Sequence, residues 1–204
     1  AKDLLATKEL LDENLKDYFV FFKPKDVVSG DFYWFHEKED FAFILAADCT
    51  GHGVPGAFVS MLCNNALNQV IIENNFNDPG EILTQVNQKI ITSLRKKDAS
   101  FTSADGMDCA LCVIDKKTKA LSFAGAYNQL VIVNNGVVTD VKPDRTPIGG
   151  RTNFDFKFTS KKVIPNKENC YYLFSDGYAD QFGGEKGKKF MVKKLKDLLL
   201  SIAH

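Results

Sequence analysis

The chain of 204 residues carries 26 Lys plus Arg and 26 Asp plus Glu, so its formal charge is zero. That length suits one sizeable domain with its own core, and the even charge excludes the basic footprint of a nucleic-acid binder. No apolar run nears the roughly 20 residues of a membrane-spanning helix, and five cysteines, an odd number set mostly in apolar segments, suit reduced thiols and a cytoplasmic location better than a disulfide framework.

Residues 1–17 have a weakly amphipathic helical pattern and no initial Met. They read as the end of a connecting helix from an upstream domain, with 18–204 as the single main domain. Residues 18–22 read as a short aromatic strand stopped by Lys23-Pro24. Residues 31–36 and 41–47 read as two strands joined by the charged turn 37–40, hence a hairpin. A helix over about 55–73 follows, with Ala57, Phe58, Met61, Leu62, Ala66, Val70 and Ile71 at helical spacing. A second helix starts at Asp78, where Pro79 takes the first turn and Glu81 completes a capping-box pattern. From Asp108 onward the pattern turns to short strands over 109–114, 120–124, 130–133, 137–141, 154–158 and 171–174. Asn134-Asn135-Gly136 marks a hairpin, because a tight turn needs φ > 0. A last helix spans about 188–202 and buries Val192, Leu195, Leu199 and Ile202. Strands linked by hairpins, with helices in separate blocks, give an α+β fold with antiparallel sheets.

Three aspartates share one setting. The apolar run 41–47 ends at Asp48, which is followed by Cys49-Thr50-Gly51-His52-Gly53 and a helix start. Asp31 sits between Gly30 and an aromatic strand, and Asp176 ends another apolar run just before Gly177. A carboxylate at the end of a buried strand needs a counter-charge. Glycine permits close backbone approach, and hard divalent cations prefer oxygen ligands. Cys109 and Cys112 match C-x-x-C, but positions i and i+3 of a strand face opposite ways, so the pair reads as structural.

In order along the chain, Ser29-Gly30-Asp31-Phe32-Tyr33-Trp34, residues 47–58 (ADCTGHGVPGAF), Pro147-Ile148-Gly149-Gly150 and residues 174–180 (FSDGYAD) resemble the stage II sporulation protein E type of bacterial serine/threonine phosphatase. That group lies within the metal-dependent protein phosphatase superfamily, and the resemblance spans residues 18–195. It implies a four-layer α-β-β-α sandwich, two mainly antiparallel sheets with helices on both outer faces. It implies two ions, Mn²⁺ or Mg²⁺, that activate water for attack on a phosphoserine or phosphothreonine. By position, Asp48 matches the carboxylate bridging both ions. Asp31 and the backbone carbonyl of Cys49 would serve one ion, and Asp176 the other. The substrate implied is a phosphorylated regulatory protein, such as an anti-sigma-factor antagonist, with an upstream sensor domain in the full-length protein.

The chain departs from that family pattern in two places. It ends at His204 with no Asp-Asp pair of the kind the family carries near its C-terminus. The expectation is a C-terminally truncated domain with one ion less well held and an unpaired sheet edge, which leaves room for a homodimer. No arginine precedes Asp31 as a phosphate ligand; Lys23 and Lys25 are the nearby cations. His52 reads either as a catalytic acid, since imidazole titrates near neutrality, or as a residue whose hydrogen bond orders its loop. Thr50 reads as a turn residue. Asp180 reads as a support to the site or a solvated side chain, and Asp105 or Asp108 as a carboxylate that enters the site in place of the missing C-terminal one. Two other functions stay open. One is a catalytically silent phosphatase fold that binds a partner. The other is an aspartate-nucleophile phosphatase of the haloacid dehalogenase type, which needs a parallel sheet and would use Asp48 itself to attack phosphorus.

Overall fold

The computed structural model describes residues 6–96, 105–185 and 187–203. A short helix α1 (Lys8–Asn14) opens it, capped by Thr7, whose side chain accepts from the Leu10 backbone N–H. Strands β1 (Phe32–Lys38) and β2 (Phe41–Cys49) form the expected hairpin, with Glu39 at φ 53° in its tight turn. Helix α2 (Gly53–Asn68) follows and runs on as a π-helical turn, Gln69–Glu73. Helix α3 (Pro79–Lys96) starts as its sequence requires, with the Glu81 N–H donating to Asp78 Oδ1 at 2.9 Å.

The larger sheet is built from β1, β2, β3 (Gly106–Asp115), β4 (Leu121–Ala126) and β8 (Lys161–Val163), in that order; β7 (Ile148–Gly149) pairs with the start of β3. A smaller sheet has the order β6 (Val137–Val141), β5 (Leu130–Asn134), β9 (Cys170–Tyr172). The β5–β6 turn uses Asn135 and Gly136 at φ 44° and 79°, where glycine and asparagine cost least. A two-residue hairpin, β10 (Phe182–Gly183) with β11 (Lys188–Lys189), leads into α4 (Met191–Ile202). Every ladder between these strands is antiparallel. That removes the parallel sheet on which the aspartate-nucleophile alternative depended.

Strand β3 shows how the layers stack. Met107, Cys109, Leu111 and Val113 join Phe43, Leu45, Val59, Leu67, Leu83 and Ile90 in the core under α2 and α3. Ala110 and Cys112 point the other way and join Leu121, Phe123 and Leu130 between the two sheets. A third cluster, Val131 and Val133 with Leu195 and Leu199, seals α4 onto the smaller sheet. Period-two alternation thus places helices, sheet, sheet and helix in four layers. Cys109 and Cys112 fall in different cores, and all five cysteines are free.

Two expected strands do not form. Residues 18–22 carry no ladder; Phe19 and Phe21 lie instead against Tyr172 and Tyr178, with ring centroids 6.2 and 5.8 Å apart. Residues 154–158 alternate like a strand but find no strand partner. The Asp155 N–H is taken by Asn153 Oδ1 and the Phe158 N–H by Thr84 Oγ1, while Phe156 and Phe158 pack on the core. No helix among the described residues is long and apolar enough to cross a membrane.

Candidate active site

The alternation that buries Leu45, Ala47 and Cys49 beneath the helices turns Asp48 to the opposite face, toward the second sheet. The β2–β3 register sets Asp108 directly across from Asp48, so both carboxylates lie on that same face. On the other side β1 pairs Phe32 with Ala47, so one further step brings Asp31 level with Asp48. Three neighbouring strands therefore end in a row of acids at one level. Asp176 reaches the row from the loop after β9, on the facing sheet. Its neighbour Ser175 donates from Oγ to Asp31 Oδ2 at 3.1 Å.

The backbone beneath the row is tightly drawn. A methyl group on Gly30 would stand 2.7 Å from the Cys49 carbonyl oxygen and 2.8 Å from that of Gly51; one on Gly56 would stand 2.4 Å from the Gly51 oxygen. No side chain fits at either position, so the loop before β1, the turn after β2 and the first turn of α2 share one contact. The Thr50 N–H donates to the Gly106 carbonyl at 2.9 Å, and the Gly106 N–H donates to Thr50 Oγ1 at 3.1 Å. Thr50 is a tie between β2 and β3 as well as a turn residue.

The segment 147–150 braces the same corner. Ile148 and Gly149 pair with Met107 and Gly106, and the Gly150 N–H donates to the Asp105 carbonyl at 2.8 Å. Asn87, fully buried on α3, accepts the Gly149 N–H at 2.8 Å and donates from Nδ2 to the Asn153 carbonyl at 3.1 Å. Sequence reasoning missed Asn87. The only signal for it was a polar residue interrupting the apolar stripe of α3.

Electrostatically the row is strained. Burial first, then the Asp31 and Asp176 carboxylates, both within hydrogen-bonding reach, push the Asp48 carboxyl up to about 8. Burial and the charge of Asp176 push Asp108 up to about 6. Among the described residues no Lys, Arg or His forms an ion pair with Asp31, Asp48, Asp108 or Asp176. Asp180 is engaged elsewhere, since Lys189 Nζ lies 2.6 Å from its Oδ2. His52 is exposed at the N-cap of α2, and its side chain neither caps the helix nor hydrogen-bonds any described residue. The hydrogen bond expected to order its loop is not made; the glycine contacts hold that loop instead. The Cys49 thiol is buried and its titration pushed up by burial and by Cys63, so only its backbone faces the row.

Among the described residues no three His, Cys, Asp or Glu side chains are posed around a common point as metal ligands are. The donor set nonetheless suits a hard divalent cation: carboxylate oxygens in a half-buried cleft, crowded together and lacking a cationic partner.

Comparison with known proteins agrees with this layout. The family model for stage II sporulation protein E matches residues 38–204. The SiaA-PP2C domain of Pseudomonas aeruginosa superposes with a TM-score of 0.86 at 33% identity, over 99% of this chain and 78% of that one. The RsbU and RsbW domains of a Mycobacterium tuberculosis protein give a TM-score of 0.68 at 19% identity, over 88% of this chain and 47% of that one. The PP2C phosphatase domain of SpoIIE from Bacillus subtilis, solved with a fragment of its regulatory domain, gives 0.58 at 23%, over 76% and 44%. The last two show a common fold only. The search of curated proteins found no match. With a family match over most of its length and a third of its residues identical to those of the SiaA domain, the chain belongs to the stage II sporulation protein E family of PP2C-type phosphatase domains.

Proposed function

We propose that the domain is a metal-dependent phosphoserine/phosphothreonine protein phosphatase. The observation that carries this reading is the position of Asp48. It is half-buried, within hydrogen-bonding reach of Asp31 and Asp176, and no described cation offsets the three charges. Divalent ions held there would supply positive charge for the phosphoryl oxygens and a more acidic water. Asp48 would help to hold both ions. Asp31, steadied by the Ser175 hydroxyl, and the Cys49 carbonyl would hold one of them, and Asp176 the other. The chain's own part is to fix these oxygens on short strand ends, so that little reorganisation is needed when a phosphate group enters. Neither a protein nucleophile nor a proton relay through His52 is required. His52 is exposed at the N-cap of α2, at the end of the turn that follows Asp48.

The substrate proposed is a phosphorylated regulatory protein of the anti-sigma-factor-antagonist type, in the cytoplasm. The support is the company the fold keeps: domains named RsbU and RsbW, and a structure described under the bacterial stressosome. An upstream sensor domain and a homodimer belong to the same proposal. The test is hydrolysis of a phosphoserine peptide by the purified chain with excess chelator, then with Mn²⁺. Activity that appears only with Mn²⁺ supports the reading. No activity under either condition, with Mn²⁺ binding retained, would favour the silent binding module.

A further inference from the structure

We infer that Asp108 is a fourth acidic ligand of the metal site, placed there by strand register. The inference rests on the metal-dependent reading above and adds to it a residue outside the set Asp31, Asp48, Cys49 and Asp176. Directly opposed residues on antiparallel strands have Cβ atoms about 4.5–5.5 Å apart and point to the same face. The pair Asp48–Asp108 is such a pair. Two like charges opposed in this way are destabilising, and three neighbouring pairs in the same ladder, Ala47–Cys109, Ala46–Ala110 and Leu45–Leu111, are apolar. The strand thus tolerates an acid facing Asp48 only at the end that opens on the cleft.

Three further observations concern Asp108 itself. Its carboxylate makes no hydrogen bond and no ion pair with any described residue, whereas Asp180 is held by Lys189. It is half-buried, and Asp176 lies close enough to act on its charge. Its backbone is pinned on both sides, by Gly106 against Thr50 and by Met107 against Ile148. A side chain free of partners on a fixed backbone, level with Asp48 and near Asp176, is where a ligand shared with those residues would sit.

The test is calorimetric titration of Mn²⁺ into wild-type protein, Asp108→Asn, Asp180→Asn and Asp48→Asn, each also melted with chelator present. Asn keeps the size of Asp, so the metal-free Asp108→Asn protein should melt no lower than wild type. Its affinity for Mn²⁺ should fall by about 10-fold or more, because affinity follows the charge and number of the ligands, while Asp180→Asn stays at the wild-type value. Wild-type affinity in Asp108→Asn, beside a clear loss in Asp48→Asn, would overturn this inference and leave the phosphatase reading standing. Absence of Mn²⁺ binding by the wild type would overturn both.

Discussion

Asp48 and Asp108 face one another across adjacent antiparallel strands, at the end of the larger sheet that opens between the two sheets. That opposition joins segments about 60 positions apart in sequence, and it concentrates negative charge on a tightly held backbone.

Asp48→Ala should reduce phosphatase activity by roughly 100-fold or more, because it removes the carboxylate proposed to help hold both ions. Asp180→Ala should stay within about 3-fold of wild type, since its partner is Lys189 and not the acid row. Steady-state hydrolysis of a phosphopeptide with saturating Mn²⁺ measures both. Equal losses would refute the division of roles.

Metal-free stability should depend on pH through Asp48. Its folded carboxyl titrates at about 8 against an ordinary 3.8, so the folded chain holds a proton there that the unfolded chain has released. Stability from this group is therefore intact below about 4 and drains away as pH rises toward 8. Asp48→Asn cannot ionise. In chelator it should melt a few degrees above wild type at pH 8 and no differently at pH 4. With Mn²⁺ present the order should reverse, because the ion stabilises only the protein that binds it. A gap in chelator that does not change with pH would contradict the argument.

Gly56→Ala should destabilise the fold although alanine is the better helix former by about 1 kcal/mol. Its methyl would sit 2.4 Å from the Gly51 carbonyl oxygen, which is backbone and cannot rotate away. Overpacking of this kind costs about 1–3 kcal/mol, so the clash outweighs the propensity. Gly183→Ala, with open space around it, serves as the control. Chemical denaturation of both variants decides; equal midpoints would count against the tight loop contact.

Asn87→Ala should cost about 2 kcal/mol, the penalty for leaving a buried N–H without its acceptor, here the N–H of Gly149. Activity should fall with it, since the segment 147–150 braces the start of β3. A denaturation curve and an Mn²⁺ titration on the same sample report the two effects separately. Wild-type stability would show that water takes over the bond.

Much of this was legible in the chain. Asp78-Pro79 and Asn135-Gly136 carry their own backbone instructions, and both appear as read. The glycine-flanked aspartates at strand ends were equally plain, and the structure brings Asp31 and Asp176 to Asp48. Tertiary partners decided what stayed illegible. Residues 154–158 alternate as a strand would, yet their N–H groups find Asn153 and Thr84 first. The choice among Asp105, Asp108 and Asp180 could not be made from spacing. It depends on the β2–β3 register and on Lys189, neither of which leaves a local mark.

The two-faced character of β3 constrains how this family member can change over time. A one-residue insertion or deletion in β2 or β3 would exchange the faces of every residue beyond it. Asp48 or Asp108 would then be driven among Phe43, Leu67 and Ile90, and a core side chain would be set in the cleft. Substitutions can be absorbed one at a time, but a change of length here would destroy core and cleft together. The number of residues in these two strands should be preserved among relatives more strictly than most of the side chains they carry.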